Sequence, residues 1–234
     1  MKRILFGFLI LCAAAGQSGL DHPSLGWMLD RGAVRPVFGL PGSLTVADPV
    51  TSAALSLGCA SFCLIKTDSS LISGDQNVDS PAGPALFAFD SAGAFVYFPD
   101  GKQLARWQDG RLTPAPWEVA GEILSIRSVG GEPEFAVAIG GSIRIVKNGN
   151  AVLDTLPRGT QHVFLLDDGE LFSSAGVVVW RRADGSELHF PLDRAQSFLA
   201  MSPDYVEIRA AHGIFALRLT PGREQLFELP ELQP

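Results

Sequence analysis

Charged residues are scarce in this chain, and cysteines, helical periodicity and catalytic motifs are scarcer still. Of its 234 residues, 18% are charged and 47% are hydrophobic, which excludes a disordered chain and favours a large buried core. The net charge of -7 argues against nucleic acid as a partner, because nucleic-acid binding requires a basic surface.

Motifs for catalysis or for binding a cofactor are also missing. The sequence has no G-x-S-x-G nucleophile motif, and its Gly-rich VGGEP and IGGS segments lack the Lys-Ser/Thr pair of a phosphate loop. The four histidines lie far apart in sequence, without the spacing of metal ligands. We therefore assign no catalytic residue, expect no metal or cofactor, and leave enzyme activity open while favouring its absence.

The three cysteines fall into two groups. Cys59 and Cys63 would stand about 13 Å apart in one extended strand, so a disulfide between them requires a turn within GCASFC. We keep that disulfide as a possibility and prefer two buried free thiols. Cys12 follows a large residue, Leu11, and is only a minor alternative as a lipid anchor.

Residues 1–15 have the pattern of a secretory signal peptide. A basic MKR start is followed by the apolar stretch ILFGFLIL and by three alanines that fit an A-x-A cleavage site. The apolar stretch is too short to span a membrane. The pattern predicts export to the periplasm or the extracellular space, with residues 16–234 forming one domain that has no stable membrane insertion.

A repeat of turn glycines is the strongest pattern in the chain. The intervals between them are 42, 36, 39, 36 and 37 residues, and short β-prone segments lie between the turns. The glycines are Gly32, Gly74, Gly110, Gly149, Gly185 and Gly222. Such a period predicts an all-β fold, a β-propeller of four-stranded antiparallel blades with almost no helix.

The number of blades is less clear than the blade itself. LGWMLD-RG-AVRPVFG looks like only the last two strands of a repeat, and DQNVDSPAGP replaces a clear fourth strand in the next repeat. Five blades plus an N-terminal hairpin is the preferred prediction. Six blades with one incomplete is the alternative, and an open arc closed by a partner chain is a third possibility.

Two further patterns concern the interior of the propeller. The inner strands carry mostly Ala, Leu, Phe, Ile and Ser, with Arg127 as an exception, which argues against a metal site at the axis. Trp27, Trp107 and Trp180 each precede a turn glycine, and this regular position indicates packing between blades.

The blades resemble the YVTN, NHL and PQQ-type repeats of secreted bacterial β-propellers. VVVWRRADGSELHFPL and IFALRLTPGREQLFELP share their strand, Asp-Gly or Pro-Gly turn, and strand, and GAVRPVFGLPGS resembles the opening hairpin of an uncharacterised subgroup. The resemblance implies the fold. The chain lacks the regular Trp and Gly spacing of PQQ blades and the GH…WD signature of WD repeats, so no cofactor or activity is implied.

A binding site is expected on one face of the propeller. Loops between blades share a face with the middle hairpins of the blades, and ligands of propellers commonly bind there. The residues predicted on that face are Asp75, Asp79, Asp100, Lys102, Arg158, Arg194 and His212.

Three functions remain open from the sequence. The preferred hypothesis is an exported, non-enzymatic propeller that binds a protein or peptide partner at the cell envelope. The alternatives are a metal-dependent hydrolase or lactonase with its site at the axis, and a degenerate propeller without independent activity. The step from fold to binding rests on analogy.

Overall fold

The computed structural model describes residues 23–230, which form six antiparallel β-sheets arranged as the blades of a propeller. The predicted signal peptide and Cys12 lie outside the described residues. No helix occurs between residues 23 and 230. It follows that this part of the chain offers no helix able to span a bilayer.

The strands follow one another in chain order, and each sheet pairs only sequential neighbours. Blade 1 contains β1 (Ser24–Asp30), β2 (Ala33–Leu40) and β3 (Ser43–Val46), and blade 2 contains β4 (Ser56–Cys59), β5 (Cys63–Lys66), β6 (Ser70–Ser73) and β7 (Gln76–Asp79). Blade 3 contains β8 (Leu86–Asp90), β9 (Gly93–Phe98), β10 (Gln103–Gln108) and β11 (Arg111–Pro114), and blade 4 contains β12 (Glu122–Val129), β13 (Glu132–Ile139), β14 (Ser142–Lys147) and β15 (Val152–Thr155). Blade 5 contains β16 (His162–Leu166), β17 (Gly169–Ser174), β18 (Val177–Arg182) and β19 (Glu187–Pro191), and blade 6 contains β20 (Ala195–Ser202), β21 (Tyr205–Ala210), β22 (Gly213–Arg218) and β23 (Gln225–Glu228).

The prediction of four-stranded antiparallel blades is confirmed for blades 2 to 6. The count agrees with the alternative of six blades, one incomplete, and the preferred count of five plus a hairpin is one blade short. The predicted hairpin exists as β1 and β2, but β3 extends it to a three-stranded sheet. The short, partly polar SLTV segment between glycines and a loop concealed this strand.

The strands of blade 1 occupy different positions within the blade from the strands of the other blades. In blades 2 to 6 the first strand lies next to the axis, whereas β1 takes the place of a second strand and runs opposite to β20. The start of β1 meets the end of β20, where the Ser202 hydroxyl donates to the Leu25 carbonyl oxygen at 2.9 Å. Since no described strand of blade 1 lies inside β1, β20 and β4 contact each other directly.

The core lies between the blades rather than in one central mass. The second strands of blades 3 to 5 are mostly buried, as in β13, where five consecutive residues from Pro133 to Val137 are buried. Trp107 and Trp180, on the third strands of blades 3 and 5, are 3% and 0% exposed, which confirms packing between blades for these two residues. Trp27, in β1, is only partly buried.

A disulfide joins Cys59 and Cys63, contrary to the preference for free thiols. The two residues are direct partners in the β4–β5 pairing, and their Cα atoms are 4.1 Å apart. The turn at residues 60–62 reverses the chain between them, so the 13 Å separation of a single strand does not apply.

Antiparallel pairing places the connections on two opposite faces. The face where the inner strands begin, here named the loop face, holds the inter-blade loops 80–85, 115–121, 156–161 and 192–194 and the hairpins between second and third strands. The opposite face, here named the turn face, holds the turns between first and second strands and between third and fourth strands.

Candidate functional site

A channel runs along the axis of the propeller, bounded by the five inner strands β4, β8, β12, β16 and β20. Its volume is about 680 Å³, within the range of small-molecule sites. Four phenylalanines line it, together with Leu124, Leu166 and Ala200, and the four are Phe87, Phe89, Phe164 and Phe198. The apolar inner strands noted in the sequence therefore form an apolar channel wall.

The two ends of the channel differ in charge. The polar side chains of Gln161, Gln196 and Ser197 line the end at the loop face. The end at the turn face carries Arg127 and three carboxylates, those of Asp167, Asp168 and Asp204. His162 and Arg209, which is opposite Ser197 in the β20–β21 pairing, also lie toward the loop-face end, so the three aspartates are what distinguishes the turn-face mouth.

Arg127 is held in place by groups from two blades. Its Nε donates to Glu134 Oε2 at 2.8 Å, and its Nη1 donates to the carbonyl oxygens of Leu166 and Gly169 at 3.2 and 3.1 Å. The guanidinium therefore links blade 4 to blade 5 and has little capacity left for a ligand.

Asp90 makes a second link between blades at the turn face. Its carboxylate accepts from Arg106 Nη1 at 2.7 Å and from the hydroxyl of Ser128, in the next blade, at 2.8 Å. The hydrogen bond from Arg106 is the main reason that the pKa of Asp90 falls to about 2, and the amide of Ala92 and the hydroxyl of Ser128 add to it.

Glu207 and Arg209 close the ring between blades 6 and 1. Glu207 Oε1 accepts from Arg209 Nε at 2.7 Å, and Glu207 Oε2 accepts from the Leu29 amide at 3.3 Å. Arg209 Nη2 also donates to the Leu29 carbonyl oxygen. The two side chains thus satisfy the backbone of β1 as a neighbouring strand would.

The Glu207 side chain lies in the channel wall and is 1% exposed. Burial is the main influence on its pKa and raises it to about 7, although Arg209 and the Leu29 amide act in the opposite direction and Asp30 adds to the rise. Glu207 is therefore a buried acid that titrates near neutral pH.

The structure places six of the seven residues predicted for binding on the loop face. All six side chains are exposed. Five of them lie in inter-blade loops or in hairpins between second and third strands, and Asp79 is the last residue of β7, next to an inter-blade loop. The six are Asp79, Asp100, Lys102, Arg158, Arg194 and His212. Asp75 lies on the turn face, because it belongs to the hairpin between β6 and β7, the third and fourth strands of blade 2.

Two of these cations project from left-handed backbone. Lys102 and Arg194 have φ angles of 47° and 52°, which are uncommon for residues other than glycine. Arg194 also lies beside Asp193, with its Nε 3.5 Å from a carboxylate oxygen, and both side chains are more than two-thirds exposed. His212 packs its ring edge-on against Phe215, with the ring centres 5.3 Å apart.

Sequence reasoning missed Glu207, Arg209 and the carboxylates at the turn-face mouth. A signal was present in YVEIRA, where two opposite charges, Glu207 and Arg209, alternate with apolar residues on a second strand that is otherwise buried. The mouth residues had no such signal, because Asp167, Asp168 and Asp204 lie in turns, where Asp is common.

Residues 23–230 contain no group of three His, Cys, Asp or Glu side chains arranged to hold a metal ion. In this part of the chain, the axial site that a metal-dependent hydrolase requires has no set of ligands.

Comparisons with known proteins support the fold alone. No family model matches the chain, and no curated protein matches it, so membership of the YVTN, NHL or PQQ class stays a prediction. A chain from the nidogen/laminin complex matches with a TM-score of 0.53 and 10% identity, over 87% of this chain and 92% of the other.

PorZ from Porphyromonas gingivalis, described as a bacterial surface component of the type-IX secretion system, matches with a TM-score of 0.50 and 12% identity. The match covers 88% of this chain and 37% of PorZ, so this chain spans well under half the length of that protein. The fold and the channel define a six-bladed β-propeller.

Proposed function

We propose that this protein is an exported, non-enzymatic β-propeller that binds a protein or peptide partner at the cell envelope through its loop face. The observation that carries the proposal is the grouping of Asp79, Asp100, Lys102, Arg158, Arg194 and His212 on one face of a rigid ring. Export rests on the secretory pattern of residues 1–15.

The chemistry of the loop face suits a polypeptide partner. Its exposed groups carry both signs of charge, with Asp79 and Asp100 on blades 2 and 3 and Arg158 and Arg194 on the loops that lead into blades 5 and 6. Separated acidic and basic groups complement a partner surface of mixed charge, and such complementarity sets orientation and specificity.

The scaffold beneath this face supports binding without rearrangement. Ion pairs and hydrogen bonds cross between blades at Asp90–Ser128, Arg127–Leu166 and Arg181–Asp154, each anchored on a β-strand. Blades joined in this way keep their relative positions when a partner binds, which favours affinity.

The test is capture of partners from envelope extract of the source cells with the chain from residue 16 as bait. The loop-face variant carries Arg158→Ala, Arg194→Ala and His212→Ala. The matched control carries Asp75→Ala, Arg111→Ala and Arg223→Ala, which are equally exposed but lie on the turn face. We expect the wild type and the control to capture the same protein in equal amounts. The loop-face variant should capture at least about tenfold less of it, since several contacts at the rim of the interface disappear together.

Either of two results would overturn the proposal. One is that no protein is enriched by the wild type over a bead control. The other is that both triple variants lose the partner equally, which would place binding outside the loop face.

A further inference from the structure

The axial channel has a binding chemistry that the loop face does not share. Its wall is formed by aromatic and aliphatic side chains, and its volume of about 680 Å³ fits one small organic molecule. Apolar walls of this kind bind a ligand by removing its hydrocarbon surface from water.

Some of the charged side chains along the channel have a partner within the protein, and others have none. Its two arginines are already engaged, Arg127 by Glu134 and backbone carbonyls, and Arg209 by Glu207 and the Leu29 carbonyl. The side chains of Asp167, Asp168 and Asp204, at the turn-face mouth, have no hydrogen bond or ion pair with any residue between 23 and 230. The free charge at this mouth is therefore negative.

The placement of the aromatic rings agrees with this polarity. Phe89 precedes Asp90, the last residue of β8, and lies toward the turn-face mouth, and Phe87 lies deeper on the same strand. Aromatic rings in the channel wall suit a cationic ligand, because the faces of aromatic rings attract positive charge. Burial, the main cause, and the neighbouring Asp168 raise the pKa of Asp167, whereas Arg127 acts in the opposite direction.

We propose that the channel binds a small organic cation with an aromatic or aliphatic body. The body lies among Phe87, Phe164 and Phe198, and the ammonium group lies at the turn-face mouth near Asp167, Asp168 and Asp204. The site is separate from the loop face, so its test is independent of the proposed protein partner.

The experiment uses three naphthalene probes that share one ring system and differ in charge. They are 1-naphthylmethylammonium, 1-naphthalenemethanol and 1-naphthoate, and binding to the purified chain is measured by isothermal titration calorimetry at pH 7.5. We expect one site per chain, with the ammonium probe binding at least about tenfold more tightly than the carboxylate probe.

Two sets of variants locate the site. Ala200→Trp fills the channel, and Leu124→Trp fills it from another inner strand if the first variant does not fold; either should reduce binding of all three probes at least about tenfold. Asp167→Asn with Asp168→Asn should remove the preference for the cation and leave binding of the alcohol unchanged. Asp184→Asn, an exposed turn-face residue on an outer hairpin, is the matched control and should change nothing.

The proposal fails if none of the probes binds or if the carboxylate binds as tightly as the ammonium. It also fails if a folded channel-filling variant binds as well as the wild type, because binding would then lie on the outer surface.

Discussion

At the scale of residues, the charged groups of this protein divide into those that hold the ring together and those that are free to bind. Asp90, Arg127 and Glu207 are partly or fully buried, and each forms hydrogen bonds across a blade boundary. Buried ion pairs contribute little net stability against an apolar alternative, but breaking one leaves a costly unpaired charge. Such residues fix how neighbouring blades meet, whereas Asp167 and Asp168 have free carboxylates.

Glu207 predicts an unusual dependence of stability on pH. Its pKa is about 7 in the folded protein against an ordinary 4.5, so the folded state binds its proton more tightly than the unfolded state. The resulting stabilisation is complete below about pH 4.5 and is lost as the pH rises through 7, by roughly 3 kcal/mol in total. In Glu207→Gln, urea unfolding between pH 4.5 and 8 should therefore show a flatter curve than in the wild type.

The control for this measurement is Glu132→Gln, an exposed carboxylate at the start of β13. Its curve should run parallel to that of the wild type. If the Glu207→Gln curve is also parallel, the carboxyl group titrates at an ordinary pKa.

Individual site residues were harder to predict from the sequence than their general location. Lys102, Arg158 and Arg194 reach the expected face because their place in a blade repeat decides their side of the propeller. The predicted face of Asp75 was wrong because its turn lies between third and fourth strands, not between second and third strands. The role of Glu207 could not be predicted, because it depends on a contact with Leu29, 178 residues away. The repeat pattern, which extends over a single blade, does not reveal contacts at that distance in the sequence.

At the scale of elements, β1 is the strand whose position depends most on contacts outside its own sheet. Its inner edge meets side chains of β20 and β21, namely Ser202, Glu207 and Arg209, in place of a paired strand. Close approach also requires Gly26, where a Cβ atom would overlap the Met201 carbonyl group. Closure of the ring therefore depends on a few short-range contacts.

Gly26→Ala should destabilise the protein far more than an alanine at another strained glycine. Gly26 has a φ of +123° and no room for a Cβ, whereas Gly42 has a φ of +90° and open space around it. We expect Gly26→Ala to lower the free energy of unfolding by at least about 3 kcal/mol, and Gly42→Ala by roughly 1 to 2 kcal/mol from backbone strain alone.

The comparison is made by urea denaturation of both variants and the wild type. Equal losses in the two variants would show that β1 does not pack closely against β20.

The existence of the strands in blades 3 to 6 was predictable because each is a short apolar segment bounded by Asp-Gly, Asn-Gly or similar turns. The strand positions in blade 1 were not. The turn at Gly32 has the same local chemistry whether it joins second and third strands or third and fourth strands, and only contacts with β20 and β21 distinguish the two.

At the scale of the whole molecule, burial differs between the strands of one blade. The second strand is the most buried one in blades 3 to 6, and the outermost strand of each complete blade is short and mostly exposed, as in β15, where all four residues are exposed. The stability of local regions should follow these differences in burial, since opening an outer strand exposes little apolar surface.

Hydrogen exchange followed by mass spectrometry should show these differences directly. Amides in β13, β17 and β21 should exchange at least about a hundredfold more slowly than amides in β15 and β23. A contrary pattern, in which whole blades exchange at different rates but the strands of one blade exchange together, would indicate that blades open as independent units.

The direct contact between β20 and β4 has a geometric consequence for anything that binds on the axis. In a ring of identical blades, a ligand on the axis has several equivalent rotational orientations, and only small sequence differences between the blades distinguish them. Here six sheets surround an opening bounded by five strands, and Leu29 of β1 lines the channel at the irregular position. Because blade 1 breaks the rotational symmetry of the ring at this position, a ligand or partner that contacts it binds in a single rotational orientation.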